Sequence, residues 1–88
     1  MKRHVKDRRF NPHFDQLPAE VQAAAIRSFS NLRDNPRYPG LHFKKVKNDL
    51  WSVRIGLGYR ALATEGDENF QWFWIGTHTD YDQILRNL

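Results

Sequence analysis

The 88-residue sequence predicts an α+β domain: a small antiparallel β-sheet of about four strands in a meander, packed on an N-terminal helical hairpin, with a short C-terminal helix. Three observations predict it. Apolar residues recur with period two between Leu41 and Ile75, as in strands with a buried face. Helical spacing is confined to the segments before Arg33 and after Thr79. Proline, glycine and asparagine cluster at the joints between these segments. Helices segregated from strands indicate α+β, with the helices on one face of the sheet. The other face is then left for function or for a partner.

The elements follow in order. Residues 2–6 read as a short strand, with Val5 flanked by polar residues. Asn11-Pro12 predicts a helix start, asparagine as N-cap and proline at the first helical position. Phe10, Phe14 and Leu17 then share one helical face. Pro18 ends that turn and opens a longer helix to Arg33, in which Val21, Ala25, Phe29 and Leu32 form an apolar stripe with Ile26 at its edge. The run Asn35-Pro36-Arg37-Tyr38-Pro39-Gly40 stops it.

Leu41 to Lys47 is expected to be a strand, and Asn48-Asp49 a hairpin turn. In the next strand Trp51, Val53 and Ile55 alternate with Ser52 and Arg54. Gly56 and Gly58 form a turn into a strand from Tyr59 to Ala63, and Glu65-Gly66-Asp67 is the next turn. Phe70 to Ile75 is apolar on both sides apart from Gln71, the mark of a strand covered on both faces. Asp80 to Leu88 is expected to be a helix capped by Thr79 or Asp80, with Tyr81, Ile84, Leu85 and Leu88 on one stripe.

The length fits one domain, residues 1–88. No cysteine is present, which removes disulfides and thiolate metal sites and suits a reducing cytoplasm. No apolar run reaches membrane-span length, and the basic start Met-Lys-Arg-His-Val-Lys lacks the apolar core of a secretory signal. A soluble cytoplasmic protein, with no membrane partner, is therefore expected. The formal net charge is +4, and the cations are grouped: Lys2, Arg3, Lys6, Arg8 and Arg9, then Lys44, Lys45 and Lys47, then Arg54 and Arg60. Grouped cations point to a polyanion, nucleic acid first, although small basic domains without that role are common.

Arg54, Arg60 and His78 are expected to converge on one side of the sheet. His78 is the best acid–base candidate, since an imidazole titrates near neutral pH. His42, beside Phe43-Lys44, is the second. His4 and His13 read as surface residues, Trp72 and Trp74 as core. Asp80 either orients His78 or caps the tail helix. No HxH or HxxxH spacing suggests a metal site.

Four segments together resemble toxins of the RelE/ParE superfamily from type II toxin–antitoxin pairs: Leu17-Pro18-Ala-Glu-Val21-Gln, then Asn35-Pro36 with Pro39-Gly40-Leu41-His42-Phe43-Lys44, then Trp51-Ser-Val-Arg54-Ile-Gly with Tyr59-Arg60, and Trp72-Phe-Trp-Ile-Gly-Thr-His78-Thr-Asp80-Tyr81. The resemblance spans the chain from about Phe10 onward. It implies an antitoxin partner and one of two activities. RelE-like members are metal-free, cofactor-free endoribonucleases that cut mRNA in the ribosomal A site. ParE-like members instead inhibit DNA gyrase, and a degenerate member would keep only antitoxin binding. Under the nuclease reading Arg60 matches the arginine set against the phosphate, and Arg54 is a second phosphate clamp or a cross-strand ion-pair partner. His78 would be acid or base, and Tyr81 a stacking or proton-relay residue, although it lies closer to the last strand than the family tyrosine does. Lys44, Lys45, Lys47 and His42 would contact RNA or phosphate.

Overall fold

The computed structural model describes residues 2–88. The chain runs β1 (Arg3–Lys6), α1 (Phe10–Asp15), α2 (Ala19–Asp34), β2 (Lys44–Lys47), β3 (Leu50–Ile55), β4 (Tyr59–Glu65), β5 (Asn69–Thr77) and α3 (His78–Arg86). The α+β class and the helical pair stand as expected. The sheet has five strands in the order β1-β5-β4-β3-β2. Strands β2 to β5 form the antiparallel meander, while β1 lies parallel to β5. That makes the sheet mixed where an antiparallel one of about four strands was expected. Everything between β1 and β5 serves as the long crossover that parallel pairing requires. By pairing with β5, β1 also turns the apolar Phe70–Ile75 run into an interior strand.

Sheet pleating sends alternate side chains to opposite faces. Val53, Ile55, Ala61 and Trp72 point to the face covered by the helical pair, where Phe10, Phe29 and Leu32 meet them. These residues are almost fully excluded from water. Trp72 and Trp74 are two residues apart and would share a face in a regular strand. They do not, because β5 is bulged: Ala63 pairs with Trp72 and Leu62 with Trp74, leaving Phe73 without a partner. Trp74 therefore joins Leu62 and Tyr81 in a small cluster on the second face, beneath α3. Part of the face expected to be open is thus closed by the tail helix.

Several local expectations shift. Helix α1 begins at Phe10, whose N–H donates to the Asp7 carbonyl at 2.9 Å, so Asn11 is not the cap. Pro12 still lies in the first turn, where its missing N–H costs nothing. Ile26 is 63% exposed rather than at the edge of the stripe, since it follows the buried Ala25 and points about 100° away from it. The strand expected from Leu41 starts only at Lys44. Leu41 accepts a 2.7 Å bond from the Arg54 N–H, but His42 then adopts φ 48°, a left-handed conformation that breaks the extended run. Helix α3 starts at His78, earlier than expected, because Thr77 caps it by accepting the Asp80 N–H at 3.2 Å.

His4 is not a surface residue. It is half-buried, stacks on Phe70 at 5.2 Å, and accepts the Trp72 indole N–H at 3.1 Å through Nδ1. Burial, and then the charge of Arg33, lower its pKa below the ordinary imidazole value.

Candidate functional site

Arg54 and Arg60 are direct cross-strand partners on β3 and β4, and Gly76 is the next residue across from Arg60 on β5. Cross-strand partners project to the same face. Each guanidinium then goes its own way. Arg60 turns toward α3: its Nη1 donates to the Tyr59 carbonyl at 2.9 Å, and its Cζ lies 6.0 Å from the Tyr81 ring centroid. Arg54 folds toward the β3–β4 turn, donating to the Gly56 carbonyl at 3.2 Å. It lines a depression of about 350 Å³ with Tyr38, Gly40 and Leu57. The two guanidiniums therefore diverge, Arg54 toward the β3–β4 turn and Arg60 toward α3, and do not form one clamp.

His78 is held from three directions. Its N–H donates to the Gly58 carbonyl at 2.8 Å, tying the start of α3 to the β3–β4 turn. Its ring stacks on Tyr81 at 6.1 Å with a 25° interplanar angle. Its Nε2 is 3.5 Å from the Asp82 carboxylate, one helical turn on. Asp82, not Asp80, is thus the carboxylate beside His78, while Asp80 is engaged at the helix cap. The side chain remains half exposed, so the imidazole meets solvent. Tyr81 carries both Arg60 and His78 against its ring, yet it is only 7% exposed and its hydroxyl donates to Ser52 Oγ at 3.2 Å in the buried cluster. A ring closed in this way supports Arg60 and His78 and offers no free face of its own.

Gly76 explains how the site closes against the core. A Cβ there would come within 2.5 Å of the Trp74 indole, which lies across the glycine. Trp74 in turn borders a cleft of about 220 Å³ with His13, Tyr59, Thr77 and Asp80. His13 stands 6.2 Å from the Trp74 ring, at the rim of that cleft and close to the start of α3. It was expected at the surface and is instead partly buried against Trp74. The available signal was that His13 lies one turn before Leu17, beside the buried stripe of α1.

The lysines do not form one patch. Lys44 pairs with Ser52 on the α3 side, and Lys47 Nζ donates to the Leu88 carbonyl at 2.7 Å. Lys45 pairs with Trp51 on the opposite face, near Glu65. His42 is exposed in the loop ahead of them. Among the described residues, no three His, Asp or Glu side chains are grouped so as to hold a metal ion. No helix there is long and apolar enough to cross a membrane.

The profile of the ParE-like toxin domain matches residues 19–83. The chain belongs to that family. It is therefore a RelE/ParE-superfamily toxin of the toxin–antitoxin class. No curated protein matches this ParE-like sequence. Solved structures match its fold throughout. A chain of the RelB–RelE antitoxin–toxin complex from Methanococcus jannaschii superposes with a TM-score of 0.71 at 11% identity, over 91% of this chain and 96% of that one. The isolated RelE toxin of E. coli gives 0.64 at 16%, over the full length of both chains. A chain of the RelBE2 complex of Mycobacterium tuberculosis gives 0.69 at 18%, over 88% and 98%. At these identities the likeness establishes the shared fold.

Proposed function

We propose that this ParE-like domain is the toxin of a type II toxin–antitoxin pair and acts as a ribosome-dependent, metal-free mRNA endoribonuclease. The observation that carries the reading is that Arg60 and His78 both lie against the Tyr81 ring, 6.0 and 6.1 Å from its centroid, with His78 half exposed beside Asp82. Cleavage of a ribose phosphodiester needs a base for the 2′-hydroxyl, cationic stabilisation of the phosphorane, and an acid for the leaving 5′-oxygen. In this reading Arg60 grips the phosphate, because a planar guanidinium suits two phosphate oxygens at once. His78 serves as acid or base for one of the two proton transfers, water serving the other, and Asp82 orients its ring. Tyr81 acts as a positioning platform beneath both groups, a role that its burial favours over base stacking or proton relay. Arg54 holds a neighbouring phosphate along the strand. Lys44, Lys47 and His42 meet RNA backbone on the same side, and Lys45 is left to balance Glu65.

The partners that follow are the ribosome with its mRNA and a cognate antitoxin. Several matched structures are RelB–RelE complexes, which supports an antitoxin for this chain as well. The cytoplasm is the matching compartment. The second reading is gyrase inhibition, the activity that the resemblance to ParE-like members implies. Primer extension on mRNA in a purified translation reaction separates the two. Cuts that require ribosomes, and that vanish in Arg60→Ala and His78→Ala, support the nuclease. Intact mRNA together with blocked gyrase supercoiling overturns it.

A further inference from the structure

A second cationic site lies on the other side of the molecule, away from Arg60 and His78. There β1 runs past the last turn of α2, and Lys2, Arg3, His4 and Arg33 line a depression of about 380 Å³. No carboxylate lines it. Lys2 is held at one rim by Glu65, which also accepts the Trp51 indole N–H. Lys6 projects nearby, its ammonium 5.0 Å from the Phe29 ring, and feels the charge of Arg33. Arg3, Lys6 and Arg33 make no ion pair among the described residues. Asp67 and Glu68 border an adjoining depression with Lys2 and Arg3 without closing onto either arginine.

Like charges gathered without counter-charges repel, and here the repulsion reaches a half-buried imidazole. His4 cannot turn away, since its Nδ1 is committed to Trp72 and its ring is stacked on Phe70. An anion in the hollow would relieve that repulsion. Two exposed guanidiniums facing one hollow suit a tetrahedral oxyanion, which accepts several N–H donors at once.

We infer that the hollow formed by Arg3, His4 and Arg33 is a phosphate-binding site, separate from the Arg60–His78 cluster. Its ligand is a phosphate group, carried on a nucleic-acid backbone or on a small phosphorylated molecule. It does not rest on the nuclease reading, because its readout is binding and not cleavage.

The test follows the His4 imidazole by NMR while inorganic phosphate, or an RNA oligonucleotide with uncleavable 2′-O-methyl riboses, is titrated in. A bound phosphate offsets the charge of Arg33, so the His4 titration midpoint moves upward. The shift survives in Arg60→Ala and is lost in the Arg3→Gln/Arg33→Gln double variant, whose changed residues are exposed and leave the fold intact. Tighter binding of the RNA than of phosphate, with a salt slope that flattens by about 0.7 for each phosphate contact removed, identifies a backbone ligand. Equal binding of both identifies a small phosphorylated ligand. An unmoved His4 midpoint with both probes overturns the inference, and so does a shift that persists in the double variant.

Discussion

The two faces of the sheet are built from the same strands and do opposite things. On one face α1 and α2 close over Trp72 and Ile55 with Phe29 and Leu32, and the polar groups at its margin, His4 and Glu65, are bonded to the Trp72 and Trp51 indoles. On the other, α3 provides most of the cover, and the buried group is small: Leu62, Trp74 and Tyr81, with Ser52 bonded to the Tyr81 hydroxyl. Beside that small cluster Arg60 and His78 stay accessible. The difference is one of burial: it is concentrated on one side, which leaves the other free to hold charge.

The sharpest way to break the comparison is to hollow out the closed face. Trp72→Ala should cost about 3–5 kcal/mol in chemical denaturation, since the indole is fully buried and its loss also orphans His4 Nδ1. On the α3 face, Gly76→Ala should cost about 1–3 kcal/mol, because the new methyl drives into the Trp74 ring. It should also lower activity, as Gly76 adjoins Arg60 across the strands. Tyr81→Phe should cost about 1 kcal/mol by removing the bond to Ser52. It keeps the ring under Arg60 and His78, so cleavage should hold near the wild-type rate if Tyr81 is a platform, and fall sharply if its hydroxyl relays a proton.

The smallest effect is one of pH. His4 has a lowered pKa in the folded state, so the unfolded chain binds the extra proton first. The contribution is fully present above the ordinary imidazole pKa and is lost as pH falls below it, through the folded value. Melting temperature should therefore decline on acidification from pH 7 to 5. His4→Gln, which can still accept from Trp72, should flatten that decline.

Much of this was legible in the sequence, and the misses have physical causes. Alternation in Trp51–Ile55 located β3 and set Arg54 apart from the core. Arg54 and Arg60 were expected on one side of the sheet, and their cross-strand pairing puts them there. The opposed tryptophans were not readable, because the bulge at Phe73 inverts the phase of the strand without any residue announcing it. His4 was misread for a similar reason: the parallel docking of β1 on β5 is a long-range event, and that docking brings His4 against Trp72. Asp82 was missed because α3 was begun at Asp80, and once Thr77 is the cap His78 and Asp82 stand one turn apart. Arg33 looked like an ordinary cation at a helix end until β1 was laid beside it.

The decisive measurement is the single-turnover rate of cleavage of ribosome-bound mRNA by the wild-type protein and by His78→Ala, with thermal unfolding recorded for both. His78 is half exposed, so the variant should unfold like the wild type. Its cleavage should be slower by about 10²- to 10⁴-fold, the usual worth of a general acid or base. Cleavage at the wild-type rate by a folded His78→Ala protein would contradict the assignment of proton transfer to this site.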